Sequence, residues 1–448
     1  MQDPRRLREE LFDFLRIPSI SARSEYAAHT RDAGEWVVAA LERAGLEASL
    51  LETKGHPVAL GEWRGAGPDA PTLLIYGHYD VQPPEPIELW SSPPFEPEIR
   101  DGRIYARGSA DDKGQIFLHM KALELALDSR GSLPVNVVFL AEGEEEIASP
   151  NLLAFLESER ERLRADGLLI SDSAMFAPDT PSLLYSLRGL AYTEVHVRGA
   201  GTDLHSGSYG GTIPNAATIL GRILGTLHDR NERVAIPGFY DRVAEVTEEV
   251  RRGMRELPFS EAALLEETGA RGFLGEKGFE VLERLWLRPT CEVNGILTGY
   301  TGEGAKTVIP DTAMAKVSFR LVPNQEPGEV VDLFRAHVQS VAPAEVGVEV
   351  VELHGGRPWR VDAEGPFFEA ARRALHSAFG REPVLTGDGA SIPIVTDLER
   401  LLGARGVLMG FSLPGANMHA PDEWFPDAHV EKGIETLLAF YDELEGLL

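Results

Sequence analysis

Five short segments of this chain carry side chains that bind cations or move protons: Gly77-His78-Tyr79-Asp80, Asp111-Asp112, the acidic run Glu142 to Glu146, Ser171-Asp172, and Asn417-Met418-His419. Imidazoles mixed with carboxylates suit a borderline divalent cation, Zn²⁺ first, with Mn²⁺ or Co²⁺ as alternatives. Alternate residues of an extended segment share a face, so Asp80 can hold the His78 ring from behind, as metal-binding imidazoles require. Glu142, Glu144, Glu145 and Glu146 crowd together and repel one another unless a cation compensates. Together His78, Asp111, Glu146, Asp172 and His419 can offer one nitrogen and one or more oxygens to each of two ions. Each segment also has a structural reading. The histidine of H-x-D can be a satisfied structural residue, Asp111 and Asp112 can cap a helix, and the glutamates can form a solvated turn.

The elements that must position these residues favour the chemical reading. In open α/β sheets, ligands bind beyond the carboxyl ends of the strands. Short apolar runs bounded by turn residues predict buried strands at Thr72 to Tyr76, Val135 to Leu140 and Leu168 to Ile170. Each runs straight into one of the segments above. A fourth strand, Gly406 to Phe411, leads through a loop to His419. Helical periodicity over Gln115 to Leu127, opened by Asp111 and Asp112, and over Pro150 to Arg164 alternates with the strands. The N-terminus predicts an amphipathic helix with Leu7, Leu11, Phe12 and Leu15 on one face.

From about Leu190 the pattern changes to half-buried alternation. YTEVHV, EVNGIL, AMAKVSFRLV and VGVEVVEL read as strands, with helices at Pro214 to Leu227 and Glu329 to Ala342. Strand, helix, strand, strand, helix, strand is the ferredoxin-like order. Asn231 to Pro289 is an insertion of helical character. After Pro358 the first pattern returns, with a helix around Phe367 to Phe379, a strand at Glu382 to Leu385 and a final helix at Ala428 to Tyr441. The expected class is therefore α/β: a mixed sheet with helices on both faces, interrupted by a ferredoxin-like α+β domain. Residues 1–187 and 358–448 would form the metal-binding catalytic domain and 188–357 the second, with its insertion at about 231–290.

A chain of 448 residues is too long for one ordinary core. Its net charge of −28, from 71 acidic and 43 basic residues, argues against nucleic acid or an anionic membrane as partner. The single cysteine, Cys291, excludes an intramolecular disulfide and a thiolate metal site, and the charged N-terminus does not read as a signal peptide. The expected location is the cytoplasm.

With those residues in view, the sequence resembles the large metallopeptidase family of carnosinase, cytosolic non-specific dipeptidase, glutamate carboxypeptidase and aminoacylase. The matching segments are YGHYDVQP, RGSADDKG, AEGEEEIAS, SDS, DLHSGSYGG, AKTVIP, VSFRLVPNQ, GGRPW, GASIP and NMHAPDE, in family order from about residue 76 to 425. DLHSGSYGG, AKTVIP and VSFRLVPNQ point to the carnosinase-like dipeptidase branch. The resemblance implies a phosphorylase/hydrolase-like catalytic domain and a lid that dimerises. It also implies hydrolysis of dipeptides with two divalent ions. His78 and Asp172 would hold one ion, Glu146 and His419 the other, with Asp111 between them and Asp80 behind His78. Glu145 would be the general base, and His205 would stabilise the oxyanion. Arg320, Thr307, His354, Ser391 and Asp388 would contact substrate, with His205 and Thr307 reaching the partner's site in a homodimer. The match departs at Asp388, where the branch carries Glu. Other chemistries on the same scaffold are an N-acyl amino acid deacylase, a desuccinylase and a carboxypeptidase. A non-catalytic peptide-binding homologue is the remote alternative.

Overall fold

The contiguous apolar runs become strands buried along their whole length, Thr72–His78 and Asn136–Glu142. They pair in parallel with His78 opposite Glu142, and Gly167–Ile170 lies parallel on the other side with Ile170 opposite Tyr76. Asp172, two residues beyond Ile170, therefore leaves the sheet level with His78. Arg405–Leu408 continues the parallel set beside Gly167–Ile170. On the far side, the hairpin of Glu47–Leu51 and Val58–Trp63 adds antiparallel pairing to Asn136–Glu142. The sheet is mixed, as expected. The computed structural model describes residues 3–389 and 392–447. Two compact units make up the chain: Met1–Tyr185, Val361–Thr386 and Asp397–Leu448 form one, and Ser186–Arg360 with Gly387–Thr396 the other.

In the first unit, Leu73, Ile75, Val137 and Phe139 on one face of the sheet share a core with helices Pro4–Leu15, Ala27–Arg43, Lys113–Arg130, Pro366–Phe379 and Asp427–Leu447. Lys113–Arg130 is buried nearly all round over its first three turns and stops at Gly131, which takes the left-handed conformation (φ 71°) that a β-carbon would strain. The first helix buries Leu7, Leu11, Phe14 and Leu15 rather than Phe12. Positions i, i+4, i+7 and i+8 form a single stripe, and Phe12 lies one step of about 100° to its side. The helix expected over Pro150 to Arg164 is broken at Glu159 into Leu152–Ser158 and Arg160–Leu163.

In the second unit, four antiparallel strands stand in the order Thr290–Thr298, Thr312–Leu321, Gly189–Arg198, Gly347–Gly356. Strict alternation along Thr312–Leu321 buries Ala315, Val317, Phe319 and Leu321. These side chains share a core with Ile219 and Ile223 of helix Ala216–Leu224 and with Phe334 and Val338 of helix Pro327–Val341. This is the expected ferredoxin-like order. The insertion carries three short helices, Glu248–Glu256, Glu261–Thr268 and Val281–Trp286. Among the described residues, no helix is long and apolar enough to cross a membrane.

Candidate metal centre

Because the parallel strands end level, the loops beyond them converge. His78 is fully buried; its Nε2 lies 3.0 Å from Asp111 Oδ1 and 4.0 Å from Asp172 Oδ2. On the other side of Asp111, His419 Nε2 is 2.9 Å from Oδ2 and 3.1 Å from Glu146 Oε2. The result is two triads, His78–Asp111–Asp172 and Asp111–Glu146–His419, joined by one carboxylate that turns a different oxygen to each. Two donors on one tetrahedral ion stand roughly 3.3 Å apart when bonds are about 2.0–2.1 Å. The spacings from His78, 3.0 and 4.0 Å, bracket that value, and those from His419, 2.9 and 3.1 Å, fall a few tenths of an ångström below it.

The surroundings orient these groups. His78 Nδ1 faces the Asp80 carbonyl at 3.1 Å and the Asp80 carboxylate at 3.4 Å, which leaves Nε2 for the triad. Asp80 does more than hold the ring. Its Oδ1 and Oδ2 accept the backbone N–H groups of Glu145 (3.2 Å) and Glu146 (3.1 Å) and fix the acidic run in register. Gln82 donates to Glu146 Oε2 at 2.8 Å. Asp112 stands at the start of the Lys113 helix without a side-chain cap; instead it is buried, and its Oδ2 accepts the N–H of His78 at 3.3 Å. The capping alternative is thereby excluded for Asp112. Glu142 is tied down separately by Tyr76 (2.6 Å) and Ser149 (2.8 Å).

The electrostatics show what such a cluster lacks. Burial pushes the Asp172 carboxyl up to about 7, reinforced by the charge of Asp111. Glu145 is raised well above the usual range by burial and by the nearby Asp172, Glu146 and Asp111. Glu146 is raised by burial and by Asp111. Burial opposes charge on His78 and Asp111 alike. Yet mutual hydrogen bonds raise His78 well above its ordinary value and, with those from His419, hold Asp111 below its own. His419 is pushed up to about 11 by its bonds to Asp111 and Glu146. The cluster draws protons onto its imidazoles and carboxyls because its negative charge is under-compensated. Divalent cations fit this donor set and its charge.

The remaining residues named from the sequence lie in the second unit, apart from Ser391, which falls outside the described residues. His205 is exposed; its Nδ1 accepts the N–H groups of Gly207 (3.1 Å) and Ser208 (3.2 Å), which places the proton of the neutral ring on Nε2. Thr307 Oγ1 is 3.5 Å from that Nε2, brought there by pairing of Leu204–His205 with Val308–Ile309. Arg320 projects from the polar face of its strand, and burial lowers its guanidinium. Arg188, to which no sequence motif pointed, is pushed down to about 10 by burial and then by Arg320; it donates from Nε to the Gly389 carbonyl at 3.2 Å. Asp388 attracts both guanidiniums. His354 is exposed, edge-on to the Tyr192 ring at 5.1 Å.

Known proteins resemble this chain in architecture and in sequence. The chain is 31% identical to the Cys-Gly metallodipeptidase of Candida albicans, over 96% of this chain and 92% of the relative. It is 30% identical to the Beta-Ala-His dipeptidase of Rattus norvegicus, over 87% and 80%. The crystal structure of an M20 family metallo-carboxypeptidase, Sso-CP2 from Sulfolobus solfataricus, superposes with a TM-score of 0.88 at 34% identity, covering 100% of both chains. A family model matches residues 74–443, a span that takes in every residue of both triads. By descent this is a hydrolase of peptide bonds, and the chain belongs to peptidase family M20/M25/M40.

Proposed function

We propose that this chain hydrolyses dipeptides using two divalent cations, Zn²⁺ first, in a cytoplasmic homodimer. The observation that carries the reading is the sharing of Asp111 between two triads with Glu145 beside them. When bound, the cations supply charge that polarises the scissile carbonyl and makes a water acidic near neutral pH. Glu145 takes the proton of the attacking water and delivers it to the leaving amine. Asp80 keeps Glu145 and Glu146 in register for their separate tasks. His205, with its proton on Nε2, is suited to donate to the oxyanion. The dipeptidase names of the Candida and rat relatives support the substrate class. The carboxypeptidase name of the Sulfolobus protein supports a second reading, release of the last residue from longer peptides. A panel of dipeptides, tripeptides and N-acyl amino acids separates them: dipeptides should be cut fastest, whereas faster cleavage of tripeptides would favour the second reading and N-acyl amino acids a deacylase.

Arg320 is assigned to the substrate carboxylate, because a guanidinium can grip both oxygens at once. Amidated dipeptides should then be poor substrates. Arg320→Lys should raise KM about tenfold or more, since an ammonium cannot reproduce the planar fork. Equal rates on free and amidated dipeptides would remove the clamp.

The second unit is proposed as a lid through which two copies pair. Its edge strand Thr290–Thr298 exposes Val293, Ile296 and Leu297, the last two by 60% and 67%. An apolar sheet edge of this kind supports an interface between copies. In that arrangement His205 and Thr307 serve the partner's metal centre. His205→Ala should cost about 10²–10³-fold in kcat with cations retained, the usual effect of losing one preorganised donor. Mixing His205→Ala chains with Glu145→Gln chains gives heterodimers with one intact composite site. They should recover about half of wild-type activity if the site is shared; verified heterodimers that stay inactive would show that it is not.

A further inference from the structure

Glu423 is a fully buried carboxylate that belongs to neither triad. It accepts four hydrogen bonds. Oε1 takes the backbone N–H of Ala110 (2.8 Å) and Asp111 (3.1 Å), and Oε2 takes that of Gly108 (3.0 Å) and the Arg107 guanidinium (2.7 Å). Its own backbone is equally fixed. The Glu423 carbonyl accepts from Ala106 at 3.2 Å, and the next residue, Trp424, pairs with Tyr105. Trp424 also donates its N–H to the Ala416 carbonyl at 3.0 Å, closing the loop that carries His419. One side chain therefore fastens the loop of Asp111 to the loop of His419.

Holding two loops together does not require a buried charge. A packed apolar side chain would do so without the desolvation cost. What it could not do is fix three N–H groups of one loop in direction, and that is where the charge-assisted bonds of Glu423 are spent. The N–H of Asp111 is among them, and the Asp111 side chain serves both triads. We propose that Glu423 is a positioning residue for cation binding, which sets Asp111, and through it both triads, before any ion arrives. The inference rests on the two-cation reading above.

The test titrates chelator-stripped wild type and Glu423→Gln with Zn²⁺ against a competing fluorescent chelator. Glutamine keeps the volume but turns an NH₂ group toward donors. Wild type should take two ions, and the variant should bind both about 10–100-fold more weakly, the usual cost of losing a partner behind the ligands. Its kcat should recover in excess Zn²⁺. If wild type takes two ions and the folded variant binds them as tightly, Glu423 only holds the fold and the positioning role is overturned while the two-cation reading stands. If wild type takes none, both fall. Should Glu423→Gln not fold, hydrogen exchange on stripped wild type decides the matter. The amides of Gly108, Ala110 and Asp111 should already be protected, and free exchange that stops only when Zn²⁺ is added would overturn the proposal.

Discussion

Replacing Asp111 with alanine is expected to give a folded protein that retains neither ion after dialysis and hydrolyses dipeptides at background rate. The geometry of the carboxylate is the reason: Oδ1 meets His78 at 3.0 Å and Oδ2 meets His419 at 2.9 Å, so each triad loses a ligand at once. His78→Ala removes a ligand from one triad only and should leave one ion bound. Elemental analysis of both variants beside wild type checks the difference. An Asp111→Ala protein that keeps one tightly bound ion would mean that the carboxylate does not bridge.

Glu145→Gln should keep both ions and lose about 10²–10⁴-fold in kcat, the usual worth of a general base and about 3–5 kcal/mol of barrier. Glu146→Gln should do the opposite, weakening occupancy beside His419, because Glu146 Oε2 lies 3.1 Å from His419 Nε2. The two residues are adjacent, yet Asp80 holds one N–H on each carboxylate oxygen, so their side chains leave the backbone from a fixed frame. Kinetics and metal content measured on the same preparations separate the two roles. An exchange of phenotypes between the variants would shift the register of the acidic run by one.

The clustering of the candidate ligands is legible in the sequence because buried parallel strands read as unbroken apolar runs, and the residues just beyond such a run stand at the sheet's carboxyl edge. His78 and Asp172 are found that way. The alternation that puts Arg320 on the polar face of its strand is equally plain. Less visible are elements whose burial is set by tertiary contacts. Glu47–Leu51 and Val58–Trp63 form the sheet's antiparallel hairpin, yet EASLL and VALGEW show no clean period. The break at Glu159 leaves no mark in a segment rich in helix formers. Glu423 is illegible for a different reason. It closes the NMHAPDE segment, but in a chain with 71 acidic residues a glutamate beside Asp422 reads as surface and nothing in its spacing gives it a role. Only strand pairing between Trp424 and Tyr105 brings it beneath the Asp111 loop. Arg188 likewise reads as a turn arginine, and its nearness to Arg320 and Asp388 arises from segments far apart in sequence.

The most direct measurement is a titration of the chelator-stripped protein with Zn²⁺, tracking bound ion and dipeptide hydrolysis together. With two triads joined through Asp111, activity should be absent in the stripped protein and should return as occupancy reaches two ions per chain. Full dipeptidase activity in protein shown by elemental analysis to hold no divalent cation would contradict the two-metal centre outright.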